Sequence, residues 1–325
     1  MNYQLITTLG PSSRRPQVWR ALIAEGADAF RLNTSHTSLP VLDEWLEDYS
    51  SFCETTDHLP PLILDLQGSK WRLGTMPGCV LKNDDEVLLV EGDCSGQSNE
   101  LPVPHPDFFK ALACSPSEVV LNDAKVRLEV VRPQESGYLA RVTQGGPLAS
   151  CKGITLKASE FRIDSLQQKD AQILERTRNY PNIRFAISYV RDEVEMAEYR
   201  HLMGSNSYLI AKIERPTSMS CIEQLGKIAN EIWICRGDLG AELGLVEMAE
   251  AVQGMQDAAR GLDVPIMMAG QVLEHMVHSL RPTRSEVCYL LDCLRSGIDG
   301  FVLSDEIAIG EHPIQACQVA AMFKK

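Results

Sequence analysis

Eight short apolar runs, each followed by a longer amphipathic stretch, constrain this chain more than any other feature. They cover residues 4–9, 28–33, 61–66, 184–190, 208–214, 231–236, 264–269 and 300–304. They are rich in Ile, Leu, Val and Phe, and Gly, Pro, Asn or Asp bounds them. Near-continuous apolar runs of this length suit parallel strands buried on both faces. Helix-period segments lie between them, among them 16–25, 194–202 and 246–260, the last ending beside Gly261 as a cap. Eight βα units predict an α/β fold of the (β/α)8 TIM-barrel type.

One stretch breaks the rhythm. After the third run, short extended segments at 87–90, 119–130 and 138–142 alternate with turn clusters such as Glu91-Gly92-Asp93 and Gln144-Gly145-Gly146-Pro147. This predicts a small β-rich domain over 74–151, inserted into a barrel built from 1–73 and 152–325. The 325 residues accommodate both.

Bulk properties exclude several functions. A net charge of -13 disfavours a nucleic-acid partner, because phosphate backbones are held by excess Lys and Arg. Ten cysteines occur without a C-x-x-C pair or zinc-finger spacing, and are read as reduced and mostly buried. The first residues lack a basic segment and a long apolar run, so no signal peptide is expected. No run approaches the ~18 apolar residues of a membrane helix. A cytoplasmic protein with no membrane partner is expected.

A barrel forms its active site at the C-terminal ends of its strands. Those ends carry Arg31-Leu32-Asn33-Thr34-Ser35-His36, Asp65, Ser188 with Arg191 after it, Lys212-Ile213-Glu214, Arg236-Gly237-Asp238 and Ser304-Asp305-Glu306. Glu214 and Asp238 fall on adjacent strand ends, a hard-oxygen pair suited to Mg²⁺. Each carboxylate alone is more simply a helix cap or solvated loop residue; two on neighbouring strands, each beside a cation, favour a metal. Lys212 lies two residues from Glu214 and so on the same face, where it could neutralise a phosphoryl group in flight; taken alone, an ion pair with Glu214 is the plainer reading. Gly237 and Gly240 place exposed N–H groups at a helix start, where an anion can sit, although glycine turns follow many strands. Arg31 and Arg72 are candidate phosphate cations, resting on context. His275 and His278 read as surface helix, and Met267-Met268 as packing.

These stretches resemble the pyruvate kinase family. The resemblance is carried by Thr8-Leu9-Gly10-Pro11-Ser12-Ser13-Arg14, Arg31 to His36, Leu64-Asp65-Leu66-Gln67-Gly68, Lys212-Ile213-Glu214, Arg236-Gly237-Asp238-Leu239-Gly240, Arg281-Pro282-Thr283-Arg284-Ser285-Glu286 and Leu303-Ser304-Asp305-Glu306, in family order. It implies phosphoryl transfer between phosphoenolpyruvate and ADP, giving pyruvate and ATP. It also implies Mg²⁺ or Mn²⁺ on Glu214 and Asp238. Lys212 and Arg31 would be catalytic. Arg236, Gly237, Asp238, Ser188 and Gly270 would bind the substrate, the first three through backbone. Asn33, His36, Arg72 and Lys152 would face the nucleotide, and the 74–151 insert would act as a mobile lid. Asn33, Ser35 and Asp65 resemble a monovalent-cation site. Leu66-Gln67 and Lys70 resemble the K⁺-independent branch, so K⁺ is not expected to be required, with the Lys70 ammonium in its place.

Two departures bear on function. Strand seven reads Ala269-Gly270-Gln271-Val272, where the family usually has Ala-Thr-Gln-Met, so a hydroxyl expected near the enolpyruvate carbon is absent. The chain also ends at Lys325, where family members usually continue into a regulatory domain; no sugar-phosphate effector site and a simpler homo-oligomer through the barrel are expected. The turn Leu121-Asn122-Asp123-Ala124 differs from the usual Asp-Asp-Gly. Two further readings use the same site: a Mg²⁺-dependent 2-oxo acid lyase, acting as an aldolase or decarboxylase, and a non-catalytic phosphoenolpyruvate binder.

Overall fold

Eight parallel strands close into a barrel in this computed structural model, which describes residues 1–56, 59–114, 118–122, 124–157 and 166–325. The barrel strands are β1 (Gln4–Thr8), β2 (Ala29–Asn33), β3 (Leu62–Leu66), β12 (Ile183–Ile187), β13 (Tyr208–Ile213), β14 (Glu231–Cys235), β15 (Ile266–Ala269) and β16 (Gly300–Leu303). Their order around the barrel is β1, β16, β15, β14, β13, β12, β3, β2. Seven of the predicted apolar runs contain one of them, trimmed by a residue or two, while β12 begins one residue before the run 184–190 and ends three residues before it does.

Alternation along the strands separates two apolar layers. One parity points outward and packs under the helices, for example Leu5, Phe30, Leu62, Leu64, Ile213, Ile234 and Phe301. The other fills the barrel interior with Ile6, Ala29, Ile63, Ala186, Ile210, Trp233, Met267 and Val302. Two residues further along the same parity come Thr8, Arg31, Asp65, Ser188, Lys212 and Ser304. The polar site is therefore the top layer of the barrel interior, and the packed apolar layer is its floor.

Between β3 and β12 the chain forms a second body of structure with its own apolar core, including Trp71, Leu89, Leu101, Phe108, Val119, Leu128 and Ile154. Its strands are β4 (Cys79–Leu81), β5 (Glu86–Glu91), β6 (Glu100–Val103), β7 (Glu118–Leu121), β8 (Val126–Gln134), β9 (Gly137–Gln144), β10 (Gly146–Leu148) and β11 (Ile154–Leu156). Six of them form one sheet in the order β11, β7, β8, β9, β5, β6, while β4 and β10 pair separately. The extended reading of 119–130 divides here into β7 and β8. A helix at Pro106–Cys114, which the turn-rich pattern concealed, buries Phe108, Ala111 and Leu112 against this core.

The expectation that the cysteines are mostly buried is corrected. All ten are free, but Cys94, Cys114 and Cys288 are exposed, and only Cys235, Cys293 and Cys317 are buried. A thiol is small enough to sit on an edge or an outer helix face without an apolar partner. His275 and His278 are exposed as read, with His278 Nδ1 3.2 Å from Glu311 Oε1, and Met267 and Met268 are fully buried. No helix among the described residues is long and apolar enough to cross a membrane.

Candidate active site

The centre of the site is Asp65, at the top of β3 and only 2% exposed. An unpaired carboxylate buried this deeply would cost several kcal/mol. Here it has four donors: Arg31 Nε at 2.8 Å and Nη2 at 2.6 Å, Lys212 Nζ at 3.0 Å and Ser188 Oγ at 3.2 Å. Burial works to raise its pKa, and the charges of Lys212 and Arg31 overcome that and hold it below the usual carboxylate range. Arg31 is fixed further by Thr8 Oγ1 at 2.9 Å and Ser304 Oγ at 3.3 Å.

Lys212 is equally committed. Its ammonium also lies 2.9 Å from Glu214 Oε1 and 2.8 Å from Ser188 Oγ. Burial would lower its pKa, but Asp65 and Glu214 more than offset this and hold it above the ordinary lysine value, permanently charged. Alternation along β13 sends Lys212 and Glu214 to the same side, so the ion pair and the shared role read from sequence are both geometrically available.

Glu214 Oε2 accepts from the Tyr189 N–H at 2.8 Å. Its carboxyl is close enough to that of Asp238, the third residue of the helix Arg236–Leu243, for the two charges to interact. Burial raises the Glu214 pKa, the Lys212 charge opposes this and the Asp238 charge adds to it. Burial would also raise Asp238, but Lys70, 2.5 Å away, brings it down to about 2. Two neighbouring carboxyl groups, one of them held ionised by Lys70, form a donor set suited to a hard divalent ion. Among the described residues no group of three or more His, Cys, Asp or Glu side chains could hold a metal, so such an ion would draw its other ligands from substrate oxygens and water, as Mg²⁺ commonly does.

Two glycines are required by close approach. Gly68 has φ of +57°, and a Cβ there would lie 2.1 Å from the Ser188 carbonyl oxygen. It lets the loop after β3 press against the end of β12, where Asp170 accepts from the N–H of Gln67 at 3.2 Å and of Gly68 at 2.9 Å. Gly270, with φ of +85°, brings the end of β15 beside the helix start, where a Cβ would sit 3.2 Å from Gly237 N. The Arg236 guanidinium does not face the cavity centre: Nη2 donates to the carbonyls of Gly270 and Gln271, and the group stacks 4.6 Å from the Tyr289 ring centroid.

A cavity of about 1140 Å³ opens over these residues, and Asn33, Arg72, Lys152, Gly153, Arg236, Gly237 and Gly270 also line it. Asn33 Oδ1 caps the next turn by accepting from Ser35 N at 3.2 Å. Arg72 is tethered through Nη1 to the Cys151 carbonyl at 2.9 Å. The backbone of His36 lies in the turn Thr34–His36; its side chain is outside what the structure describes, as is Asp123.

The profile described as pyruvate kinase, barrel domain, matches residues 1–317. The chain belongs to the pyruvate kinase family. It is 31% identical to the pyruvate kinase of Methylorubrum extorquens, over 96% of this chain and 66% of that protein. It is 28% identical to that of Mycobacterium tuberculosis over 96% and 67%, and 27% identical to that of Thermococcus litoralis over 99% and 69%. It thus spans about two thirds of the length of these relatives.

The structure brings Arg31, Asp65, Ser188, Lys212, Glu214 and Asp238 into one cluster. Lys70 joins this cluster through Asp238. Four contributors were not foreseen: Thr8, which holds Arg31; Tyr189, which donates to Glu214; Lys169, whose Nζ donates to the Thr34 carbonyl at 2.6 Å; and Asp170. Thr8 and Ser304 had a usable signal, since both share the inward parity of the strands. Lys169 and Asp170 had none, because a helix far along the chain delivers them.

Proposed function

We propose that this chain is a pyruvate kinase-like phosphotransferase that moves a phosphoryl group between phosphoenolpyruvate and ADP with Mg²⁺ or Mn²⁺. The observation that carries this reading is the position of Lys212, a buried ammonium held between Asp65 and Glu214 and beside Arg31 at the floor of the cavity. Phosphoryl transfer leaves the protein little covalent work; catalysis rests on positioning and on fixed positive charge. Lys212 and Arg31 would face the transferring phosphoryl group. Their partners hold them in place, so little reorganisation is needed during the reaction. The N–H groups at Gly237 and Asp238, at a helix start, would hold the substrate carboxylate. Glu214 and Asp238 would hold the divalent ion, which when bound neutralises phosphate and enolate oxygens.

In the same reading Asn33, His36, Arg72 and Lys152 face the nucleotide, and 74–151 is a lid domain on the barrel of 1–73 and 152–325. Closure of that lid would exclude water and limit hydrolysis. Asn33, Ser35 and Asp65 form the region where a monovalent cation would sit, and K⁺ is not required.

One observation favours a second reading. Gly270 offers no hydroxyl to the enolpyruvate carbon, so protonation would rely on water, and a Mg²⁺-dependent lyase acting through a 2-oxo acid enolate would not need that group. Assaying pyruvate formation from phosphoenolpyruvate and ADP with Mg²⁺ separates the two. ADP-dependent turnover supports the kinase; Mg²⁺-dependent phosphoenolpyruvate binding without ADP-dependent turnover favours the lyase or a non-catalytic phosphoenolpyruvate binder.

A further inference from the structure

Lys70 leaves the barrel on the segment that enters the insert, yet its ammonium ends on the carboxylate pair. Nζ lies 2.5 Å from Asp238 Oδ1, and only 10% and 14% of the two side chains are exposed. The returning segment packs against the Lys70 stem: a Cβ on Gly153 would come within 3.0 Å of Lys70 Cε. Arg72 and Gly153 form a β-bridge across the same junction. A second link runs through Tyr189, whose hydroxyl is 3.5 Å from Asp238 Oδ1 and 3.4 Å from Thr155 Oγ1 on β11. The entering segment thus reaches this carboxylate directly, and the returning segment reaches it through Tyr189.

We propose that Lys70 is the resident counter-cation of Asp238, that a divalent ion at Glu214 and Asp238 binds in competition with it, and that metal binding thereby loosens the barrel–insert junction. This rests on reading Glu214 and Asp238 as the metal pair. An oxygen accepting from an ammonium at this distance cannot offer the same lone pair to a metal. An ammonium that stayed beside the metal would repel it at short range in a poorly solvated site. Either way Lys70 weakens metal binding. Its withdrawal also removes the contact that fixes the Lys70 stem against Gly153. The junction's backbone bonds, Leu73 N to the Lys152 carbonyl at 2.9 Å and Ile154 N to the Trp71 carbonyl at 3.1 Å, report that loosening.

The test is Mn²⁺ binding to the full chain, followed by electron paramagnetic resonance without phosphoenolpyruvate or nucleotide, so that it stands apart from turnover. Lys70→Met is expected to bind Mn²⁺ about tenfold more tightly than wild type. Lys70→Arg, which keeps the charge, should resemble wild type, and Asp238→Asn should lose the site. Equal or weaker binding by Lys70→Met overturns the proposal, as does a lack of Mn²⁺ binding by all the proteins. On the wild type alone, Mn²⁺ should speed amide exchange at Leu73 and Ile154; unchanged or slower exchange there overturns the coupling. A wild type that binds Mn²⁺ but fails to make pyruvate counts against the kinase reading and leaves this inference standing.

Discussion

Arg31 grips Asp65 with two nitrogens, Nε at 2.8 Å and Nη2 at 2.6 Å, so the charge of this carboxylate is met within the chain. Lys212 adds a second fixed cation to the same carboxylate. Pyruvate formation by the wild type is therefore expected to run at the same rate in K⁺ and in tetramethylammonium at matched ionic strength. Strong activation by K⁺, equal in the wild type and Lys70→Glu, would contradict this.

Restoring a threonine at position 270 should harm the protein. Gly270 has φ of +85°, and a Cβ there would press on Gly237 N at 3.2 Å. A β-branched residue in that conformation costs about 1–3 kcal/mol. Gly270→Thr is expected to lower the thermal midpoint and to weaken phosphoenolpyruvate binding. A variant that is at least as stable and turns over faster would show that the turn readily adopts another conformation.

Arg236 should act as a positioning residue. Its guanidinium holds the carbonyls of Gly270 and Gln271 and stacks on Tyr289. Tyr289→Phe keeps the ring and should change stability by no more than about 0.5 kcal/mol. Arg236→Lys loses the planar fork and should raise KM for phosphoenolpyruvate more than it lowers kcat. The reverse pattern, measured by steady-state kinetics, would place the side chain on the reacting group.

Asp170 gives a pH signature of folding. Burial raises its pKa from 3.8 to about 6, partly offset by the N–H groups of Gly68 and Gln67. The folded state thus holds this proton more tightly than the unfolded one, so the contribution is fully present below pH 3.8 and is lost as pH rises through about 6. Relative to Asp170→Asn, the wild type should lose about 3 kcal/mol across that window. Urea unfolding of both proteins at several pH values measures it; parallel curves would show that Asp170 titrates alike in both states.

The barrel and the chemical centre are legible in the sequence for one physical reason. Strand parity orders side chains two by two, so the spacing of Lys212 and Glu214 is enough to put them on one face, while Arg31 rests on its place at a strand end. Residues at loop tips are harder. The resemblance groups Lys70 with the monovalent-cation region and gives no sign of the ion pair with Asp238, to which the loop after β3 delivers its ammonium. Asp170 carries no such signal, because only the folded chain brings its helix to the β3 loop. The helix Pro106–Cys114 is hidden because nine residues flanked by turns carry a weak periodic signal.

The most direct test of the site is Lys212→Met, compared with the wild type for pyruvate formation from phosphoenolpyruvate and ADP with Mg²⁺, with folding checked by circular dichroism and with Lys212→Arg beside it. If the ammonium stabilises the transferring phosphoryl group, kcat should fall about 10²–10³-fold, with Mn²⁺ still bound and Lys212→Arg partly active. A folded Lys212→Met protein that keeps the wild-type rate would remove Lys212 from the chemistry and overturn the proposed mechanism.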